Sequence, residues 1–449
     1  MGKSKAKSES SRKTSKKEST VNTKKRETTA KKEKSNKPNQ ERVTAFFVPA
    51  FVALVSLCAG IISPALWQFY QQEQQLNKAL LPRHSLQKTT RYECDDLTLS
   101  DYLHEYPVAG MHVVCIQETS ITFFQNAQLG DAFSNTIPIP GGFVNDWSGL
   151  KELLVSKLKL RSQDRLHQAW STFSPTGKRL LDESDPEDSS IENLSSLGLF
   201  LVFQGGQWIW PGIRKGYQRD IVLDSARNAT LETLSTHPLV LSVKGFLSVE
   251  ECDLIQEMAA PKMEYSKVTL MDKDKGRPAS DFRTSQTTFL ASSTPELQDV
   301  DRRTASLVRI PASHQESAQV LRYGNTEKYD THHDYFDPSL YQKDPGVLRM
   351  TQHGRNNRMA TVFWYLSDVE NGGETVFPRY DKAPQPRNMQ MFHAGLKVKP
   401  ERGKVIIFYS LTPDGNVDPL SLHGAAPVRG KDDVKWAANK WVWNAPMKF

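Results

Sequence analysis

Cysteine is scarce in this chain, which has only four in 449 residues. So few cysteines exclude a small disulfide scaffold, because such proteins concentrate many cysteines in a short chain. Cys58 lies within a long apolar run, so Cys94, Cys115 and Cys252 remain for the folded part. One disulfide and one free thiol fit that number. The sequence favours the pair Cys94–Cys115 but does not decide it.

Large apolar side chains are almost absent from residues 1–43. This segment holds 15 lysines and arginines against 5 acidic residues, whereas the rest of the chain holds 43 basic and 46 acidic residues. A segment without apolar side chains cannot offset the entropy lost on ordering, so we expect a disordered, basic cytosolic tail. Because the remainder is slightly acidic, the formal net charge of +7 does not indicate a nucleic-acid partner.

Charged residues are missing from the run VTAFFVPAFVALVSLCAGIISPALW, residues 43–67. A helix crosses a bilayer with roughly 20 apolar residues, and a cleaved signal peptide would be shorter and closer to the N-terminus. The basic residues before the run predict a cytosolic N-terminus. We therefore expect a transmembrane helix at 44–67, acting as a type II anchor, followed by a stem at 68–90. The remainder would lie in the lumen of the endoplasmic reticulum, with the Golgi as the alternative.

The middle of the chain, residues 91–215, lacks a catalytic constellation, since its histidines are isolated from one another. Short apolar runs and one helical pattern predict a small α+β module of unknown function. Docking of a partner or substrate is one interpretation. Asn193 and Asn228 begin acceptor motifs for N-glycosylation, which are available if this part of the chain faces the secretory lumen.

Residues 237–449 are dominated by strand-like runs. They begin with a helical pattern in which Ser248 and Glu251 form a capping box. Asn371-Gly372 favours a tight turn between two of the runs. No repeat of 20–50 residues is visible. The pattern predicts a mainly β domain with flanking helices.

Adjacent histidines followed by an aspartate occur in RYGNTEKYDTHHDYFDP, residues 322–338. In an extended strand, residues i and i+2 project from the same face, so His332 and Asp334 can meet one ion while His333 points away. A distant histidine would complete a 2-His-1-carboxylate triad, the kind of site that suits non-haem Fe(II). The pattern alone is weak, and an ordinary salt-bridged loop is its alternative.

Three histidines can supply the third ligand. His353 and His393 lie in polar stretches that resemble inserts. His423 follows a strand and a loop that can return the chain to the site, and we therefore predict it as the ligand.

These residues carry a resemblance. Residues 237–449 resemble the catalytic domain of prolyl 4-hydroxylases, which are Fe(II)/2-oxoglutarate dioxygenases. Five stretches match in family order, and the most specific is NRMATVFWYLSDVENGGETVFP. The others are FLSVEECDLI, FRTSQTTFL, LRYGNTEKYDTHHDYF and the segment from GKVIIFYSL to KWAANKWVW. The resemblance implies a double-stranded β-helix, or jelly-roll, catalytic domain.

The family carries its iron on the H-x-D pair and the distal histidine, which implies His332, Asp334 and His423 as the metal ligands. It binds the distal carboxylate of 2-oxoglutarate with a lysine just before a tryptophan, a position occupied here by Lys435. The family usually has two fewer residues between the histidine and the lysine, which makes Lys431 a rival. We prefer Lys435 because its sequence neighbours match, whereas Lys431 lies in a polar bulge.

Two tyrosines are expected beside the co-substrate. Tyr323 is the expected second donor to 2-oxoglutarate, and Tyr329 is expected nearby, with a role as a core aromatic as its equal alternative. The RYGNTEKY segment is one residue shorter than the family pattern and lacks a glycine, so its loop geometry stays open. Arg283 and Trp364 are candidates to line the groove for a peptide substrate, again with a core role as the alternative.

The resemblance implies hydroxylation of proline in a peptide or protein substrate, coupled to oxidative decarboxylation of 2-oxoglutarate by O2, with ascorbate as a rescuing reductant. One alternative is a related dioxygenase that acts on lysine or another residue. The co-substrate lysine argues against it, since lysyl hydroxylases typically have an arginine there. A catalytically inactive binding protein is the other alternative, and the intact triad argues against it. The substrate sequence and the oligomeric state stay open.

Overall fold

The computed structural model describes residues 93–139, 147–180 and 198–447. The predicted tail, transmembrane helix and stem lie outside the described residues, as does Asn193. Within the described ranges, no helix combines the length and the apolar character that a membrane span requires.

Strands outnumber α-helices among the described residues and form three sheets. The α-helices are α1 (Asp96–Tyr102), α2 (Trp147–Leu158), α3 (Val249–Ala259), α4 (Pro295–Val308) and α5 (Pro345–Met350). The strands are β1 (Met111–Ile116), β2 (Ser120–Phe124), β3 (Ser134–Pro138), β4 (Ser171–Phe173), β5 (Arg179–Leu180), β6 (Leu199–Phe203), β7 (Gln218–Val222), β8 (Asn228–Thr236), β9 (Leu239–Lys244), β10 (Glu264–Tyr265), β11 (Gln286–Leu290), β12 (Ala318–Tyr323), β13 (Tyr329–His332), β14 (Arg358–Tyr365), β15 (Thr375–Phe377), β16 (Leu396–Val398), β17 (Val405–Tyr409), β18 (His423–Ala425) and β19 (Lys435–Trp443).

The first sheet has the order β3-β2-β1-β6-β4-β5 and belongs to the region predicted as an α+β module. Helix α2 buries Leu150, Leu154 and Leu158, four residues apart, in an apolar cluster with Phe200 and Val202 of β6. That spacing places the three leucines on one helix face. The alternate residues of β1 and β6 belong to the main core instead. The sheet is therefore covered on both faces.

A disulfide joins Cys94 to Cys115 in β1, which confirms the predicted pair. Cys252 is a buried free thiol in α3. Burial raises its pKa to about 11, so at neutral pH it is a protonated thiol that packs like a small apolar side chain.

The other two sheets form a mainly β unit with flanking helices, as predicted. The larger sheet has nine strands in the order β10-β11-β12-β19-β14-β17-β9-β8-β7, and the smaller has four in the order β13-β18-β15-β16. An apolar cluster joins residues of both sheets, including Tyr323, Tyr365, Phe377 and Phe408. Two packed sheets around such a core are the arrangement expected of a jelly roll.

Helices α3 and α4 bury their apolar residues in the main core, together with residues of the larger sheet. Ser248 and Glu251 form the predicted capping box at the start of α3: the Ser248 hydroxyl accepts from the Glu251 amide, and the Glu251 carboxylate accepts from the Ser248 amide.

The larger sheet begins at β7, before the predicted domain boundary at residue 237. Strand β8 alternates fully buried and half-buried positions, and its half-buried face is rich in threonine and glutamate. Apolar content alone therefore does not mark it as part of the sheet. The boundary between a module and a separate catalytic domain stays a prediction.

Candidate metal and co-substrate site

The structure brings His332, Asp334 and His423 together. One nitrogen or oxygen from each residue lies within 4.8 Å of the others. Among the described residues, this is the one group of three or more His, Cys, Asp or Glu side chains close enough to hold a metal ion. Each histidine Nε2 lies 3.6 Å from one Asp334 carboxylate oxygen. Strands β13 and β18 pair so that His332 stands directly opposite His423. His353 and His393 are not part of this group.

Both histidines are oriented by a backbone carbonyl two residues earlier in the chain. His332 Nδ1 donates to the carbonyl of Asp330 at 2.9 Å, and His423 Nδ1 donates to the carbonyl of Ser421 at 2.9 Å. A proton held on Nδ1 leaves the lone pair on Nε2, which is the atom that faces Asp334. Metal-bound histidines are commonly fixed by this kind of second hydrogen bond.

The protonation states of His423 and Asp334 suit metal binding. Burial lowers the pKa of His423 to about 4, so its imidazole is neutral at physiological pH. Burial alone would raise the pKa of Asp334, but His423 and His332 outweigh it and hold that pKa well below its usual range. A neutral imidazole and an ionised carboxylate are the forms that coordinate a divalent cation.

Strand β13 ends at His332, so Asp334 lies two residues beyond the strand. The Thr361 hydroxyl of β14 donates to the Asp334 carboxylate at 2.6 Å and so fixes its position. His333 does not join the group, as alternation predicts, and its Nε2 contacts the Pro419 carbonyl at 3.2 Å instead.

Aromatic rings wall the site. The Tyr329 ring stacks on His332, with ring centroids 3.7 Å apart, and Phe408 lies 4.4 Å from the His423 ring. Phe377 lies 5.8 Å from the same ring. These aromatic rings exclude water from one side of the group and lower the local dielectric constant.

Lys435 lies in the apolar space between the sheets. It opposes Tyr323 in the β12–β19 register, is fully buried, and its Nζ has no hydrogen-bond partner among the described residues. The rings of Tyr323, Phe363 and Tyr365 lie 5.3, 5.5 and 5.7 Å from Nζ. Burial lowers its pKa to about 7, against a smaller opposing effect of Glu374.

A buried ammonium without a partner is costly unless an anion pairs with it. The carboxylate of 2-oxoglutarate is such an anion. The Tyr323 ring beside Lys435 belongs to the same apolar cluster as Phe377 and Phe408, the two rings that contact His423. The rival Lys431 is exposed, in an irregular segment before β19. The geometry thus favours Lys435 over Lys431, and its assignment as the co-substrate residue stays a prediction.

The remaining predicted residues have different outcomes. Tyr323 and Tyr329 lie beside Lys435 and His332 respectively. The Arg283 guanidinium lies 4.6 Å from the centre of the Tyr329 ring, and one of its terminal nitrogens is buried with no partner in the described part of the chain. Arg283 is therefore close to the site, and substrate binding stays a prediction for it.

Trp364 is not brought to the site. It is fully buried and packs in the main core, whereas its neighbours Phe363 and Tyr365 lie in the cluster between the two sheets. Successive residues of a strand face opposite sides, and both faces of this strand are covered. The structure thus places Trp364 in the core, the alternative role that its sequence allowed.

Two residues near the site were missed in the sequence. Thr361 is the hydrogen-bond donor to Asp334, and its hydroxyl in the middle of the apolar run MATVFWYL is a signal that could have identified it. Arg358 forms two hydrogen bonds with Glu316, at 2.6 and 3.0 Å, and its guanidinium lies 3.4 Å from the Trp441 ring centre. It is close enough to Asp334 to help lower that carboxyl's pKa.

Comparison with known proteins supports the same chemistry. Residues 318–443 match the model of the 2OG-Fe(II) oxygenase superfamily. Those residues include the whole His332, Asp334 and His423 group as well as Lys435. This match and the grouped histidines and carboxylate define an Fe(II)/2-oxoglutarate-dependent dioxygenase.

Among dioxygenases of this class, the chain is similar in sequence to prolyl 4-hydroxylases. The chain is 37% identical over 238 residues to probable prolyl 4-hydroxylase 10 of Arabidopsis thaliana, covering 51% of this chain and 77% of that protein. It is 34% identical to prolyl 4-hydroxylase 1 of the same plant, covering 50% of this chain and 75% of that one. The viral collagen prolyl hydroxylase of Paramecium bursaria Chlorella virus 1, solved with 2-oxoglutarate, is 23% identical, with a TM-score of 0.32 over 45% of this chain and 95% of that one.

The chain belongs to the prolyl 4-hydroxylase family of Fe(II)/2-oxoglutarate-dependent dioxygenases. Fe(II) is its metal and 2-oxoglutarate its co-substrate.

Replacing Lys435 with methionine should raise the 2-oxoglutarate KM by about tenfold or more, because a charge-assisted hydrogen bond to a buried carboxylate contributes roughly 1.5–3 kcal/mol. Steady-state succinate production against 2-oxoglutarate concentration measures the effect. The matched control, Lys431→Met, removes the exposed rival charge and should leave KM unchanged. The opposite pattern would transfer the role to Lys431.

The affinity for 2-oxoglutarate should fall as the pH rises above about 7, the pKa of Lys435. The rings of Tyr323, Phe363 and Tyr365 surround its ammonium, and the Glu374 carboxylate acts on it electrostatically. Burial raises the pKa of Tyr365, so its hydroxyl stays neutral. Below pH 7 Lys435 is charged and can pair with the carboxylate; above it, binding requires proton uptake.

Titration of 2-oxoglutarate into the Fe(II)-loaded, anaerobic enzyme from about pH 6 to about pH 9 measures this dependence. Lys435→Arg is the control, because a guanidinium stays charged throughout that range and its profile should be flatter. Equal slopes for the wild-type enzyme and the arginine variant would show that another group titrates.

Proposed function

We propose that this chain is a membrane-anchored peptidyl-proline 4-hydroxylase, that its active domain faces the lumen of the endoplasmic reticulum, and that a proline in a peptide or protein is its substrate. The Golgi is the alternative compartment. We assign the metal to His332, Asp334 and His423 and the distal carboxylate of 2-oxoglutarate to Lys435. Tyr323 is assigned as the second donor to the co-substrate, and ascorbate is proposed as the rescuing reductant.

The observation that carries this proposal is the presence, in one inter-sheet space, of a candidate metal triad and of the buried Lys435 amine, which has no hydrogen-bond partner among the described residues. The triad has two imidazole nitrogen donors and one carboxylate, a set that leaves coordination positions open on Fe(II). The ammonium supplies the single charge that a dicarboxylate co-substrate needs at its far end. Packing of the fold does not require the triad and the Lys435 ammonium to occur together, whereas binding of a metal and a dicarboxylate does.

When bound, Fe(II) and 2-oxoglutarate supply the oxidation: O2 and 2-oxoglutarate are converted to succinate and CO2, and one oxygen atom becomes the hydroxyl on proline. His332 and His423 hold Nε2 toward the metal through their Nδ1 hydrogen bonds. Thr361 fixes the carboxylate of Asp334, and the aromatic walls exclude water. No side-chain acid or base is required, so the chain acts by binding and orientation.

The proposed membrane anchor rests on the uncharged run at 44–67 and on the basic residues before it. The proposed lumenal position is supported by the Cys94–Cys115 disulfide, since disulfides persist mainly in oxidising compartments. The acceptor Asn228 is exposed at the start of β8, where an oligosaccharide can be attached without disturbing the core.

Hydroxylation should require both ligand histidines. With a library of proline-containing peptides, Fe(II), 2-oxoglutarate and ascorbate, the full-length protein should add one oxygen atom to proline, detected by mass spectrometry. His332→Ala and His423→Ala should abolish this product and the accompanying succinate, because each removes one of three metal ligands.

The control for those variants is His393→Ala, which removes an exposed histidine that the structure leaves outside the metal group. It should keep full activity. A product hydroxylated on lysine, or activity retained by His423→Ala, would contradict the proposed function.

Glycosylation should report the lumenal position. In a eukaryotic host, the full-length chain should carry N-linked glycan at Asn228, seen as a gel shift that endoglycosidase treatment reverses. In a protein that already carries Asn193→Gln, which removes the other acceptor motif, Asn228→Gln should abolish the shift. Asp224→Asn in the same background, which creates no acceptor motif in the neighbouring turn, is the matched control. An unmodified Asn228 in membrane-bound protein, together with its sensitivity to protease added outside sealed vesicles, would place this domain in the cytosol.

A further inference from the structure

A loop carries the chain from β17 to the distal histidine, and we name residues 410–422 the distal-histidine loop. We propose that the amino-terminal module, the described residues between 93 and 215, braces this loop and thereby positions His423 for metal binding. The module then has a role in the active site that does not require contact with substrate. The inference rests on the assignment of His423 as an iron ligand, which belongs to the function proposed above.

The first contact is a backbone hydrogen bond between the module and the loop. The Gly205 amide donates to the Pro413 carbonyl at 2.7 Å, and the Gln204 amide before it donates to the Gly110 carbonyl at 2.8 Å. Two segments of the module are therefore tied together at the point where the loop rests on them. Gly205 and Pro413 lie more than two hundred positions apart in the chain, so the bond forms only in the folded protein.

The second contact is a close approach of backbones that only glycine permits. A methyl group added at Gly110 would lie 2.4 Å from the backbone nitrogen of Asp414, and one added at Gly205 would lie 2.9 Å from the Pro413 carbonyl oxygen. Distances below 3.0 Å require something to move. Because Asp414 and Pro413 present backbone atoms there, no flexible side chain can give way, and the backbone of the loop or of the module would have to move.

The third contact is made by Asp164 of the module. One oxygen of its carboxylate accepts from the amides of Leu166 and Gln168, at 2.8 Å each, which holds the side chain still. The other oxygen lies against Gly415, where an added methyl would be in collision with it. Asp164 is 7% exposed, so the loop tip and this part of the module cover one another.

The root of the loop is held as well. The Trp210 amide of the module donates to the Tyr409 hydroxyl at 3.2 Å, and Tyr409 is the last residue of β17. Leu166, Ile209 and Leu411 belong to one buried apolar cluster. The module therefore contacts the loop at both its root and its tip.

The loop transmits its position to His423 through hydrogen bonds of its own. The Asp418 amide donates to the Ser410 carbonyl at 2.8 Å, and the Ser421 hydroxyl donates to the Asp418 carbonyl at 2.7 Å. The Ser421 carbonyl then accepts from His423 Nδ1 at 2.9 Å. A shift of the loop tip therefore reaches the hydrogen bond that orients the imidazole.

The superfamily match covers residues 318–443 only, so the module lies outside it. Within the matched segment, the loop has its own local bonds: the Asp414 carboxylate accepts from the Asn416 amide at 3.1 Å and from the Thr412 hydroxyl at 2.5 Å. These bonds shape the loop tip but do not fix its place relative to the sheets. His333 and Arg379 contact the Pro419 carbonyl near the end of the loop, and the contacts with the module constrain its tip.

The test compares two glycines with the same φ in the full-length protein. Gly110 and Gly216 both have φ of +81°, yet a methyl at Gly216 would meet nothing within 4 Å. Alanine has the same unfavourable positive φ at both positions, so the difference between Gly110→Ala and Gly216→Ala reports mainly the contact with the loop. Gly205→Ala is a second variant, without positive φ, should Gly110→Ala fail to fold.

Two measurements are made on each variant: Fe(II) affinity by anaerobic titration without substrate, and hydrogen exchange of the amides in residues 410–422. We expect Gly110→Ala and Gly205→Ala to weaken Fe(II) binding by about tenfold or more, the range found when partners of metal ligands are removed. Exchange of the loop amides should rise in the same two variants, with the exchange of α2 unchanged. Gly216→Ala should match the wild-type protein in both.

Fe(II) affinity and loop exchange that are equal in Gly110→Ala, Gly205→Ala and Gly216→Ala would overturn the inference. His423→Ala, measured in parallel, separates this result from a failure of the proposed function. If His423→Ala loses Fe(II) binding while the glycine variants keep it, only the brace is wrong. If His423→Ala keeps wild-type Fe(II) affinity, the metal assignment is wrong, and the inference about His423 falls with it.

Discussion

The pairing of β13 with β18 is the constraint on which the site depends, since it sets His332 opposite His423. The same local device then orients both rings: Nδ1 donates to the carbonyl two residues earlier, at Asp330 and at Ser421. Each hydrogen bond is local in sequence and forms whenever the chain takes this conformation. Only the strand pairing brings the two Nε2 atoms to a common point, where the Asp334 carboxylate meets them.

Burial between two sheets gives the site its electrostatic character. The aromatic walls lower the dielectric constant around the triad, and the same environment buries the Lys435 amine, whose Nζ has no hydrogen-bond partner in the part of the chain that the structure describes. That ammonium is a liability to the folded protein until an anion pairs with it. The binding energy available to the co-substrate therefore comes from a charge that the fold has already desolvated. Because these residues come from β12, β13, β18 and β19, the site exists only when the sheets have closed.

Sequence reasoning found the triad because two kinds of information agreed, strand alternation and the family pattern. Strand alternation alone does not explain the position of Asp334, since β13 ends at His332 and Asp334 joins the group from beyond the strand. It also could not say which face of β14 meets the site. Phe363 and Tyr365 face the inter-sheet space whereas Trp364 faces the main core, yet all three are large aromatics with both faces of their strand covered. Thr361 differed from its neighbours chemically and could have been identified.

The relation between the module and the distal-histidine loop was beyond sequence reasoning for a physical reason. Its contacts join backbone atoms of residues far apart in the chain. Glycine permits this close approach because it has no side chain, and for the same reason the sequence carries no side-chain pattern that would predict the contact. The pair Gly205-Gly206 reads as an ordinary turn, and so does the Pro413 to Gly415 segment. The sequence therefore predicts the module and the β domain as separate units, whereas in the structure residues of both pack in one apolar cluster. A loop delivering a metal ligand needs a fixed support, and the surface it rests on here is built largely by residues with no catalytic chemistry.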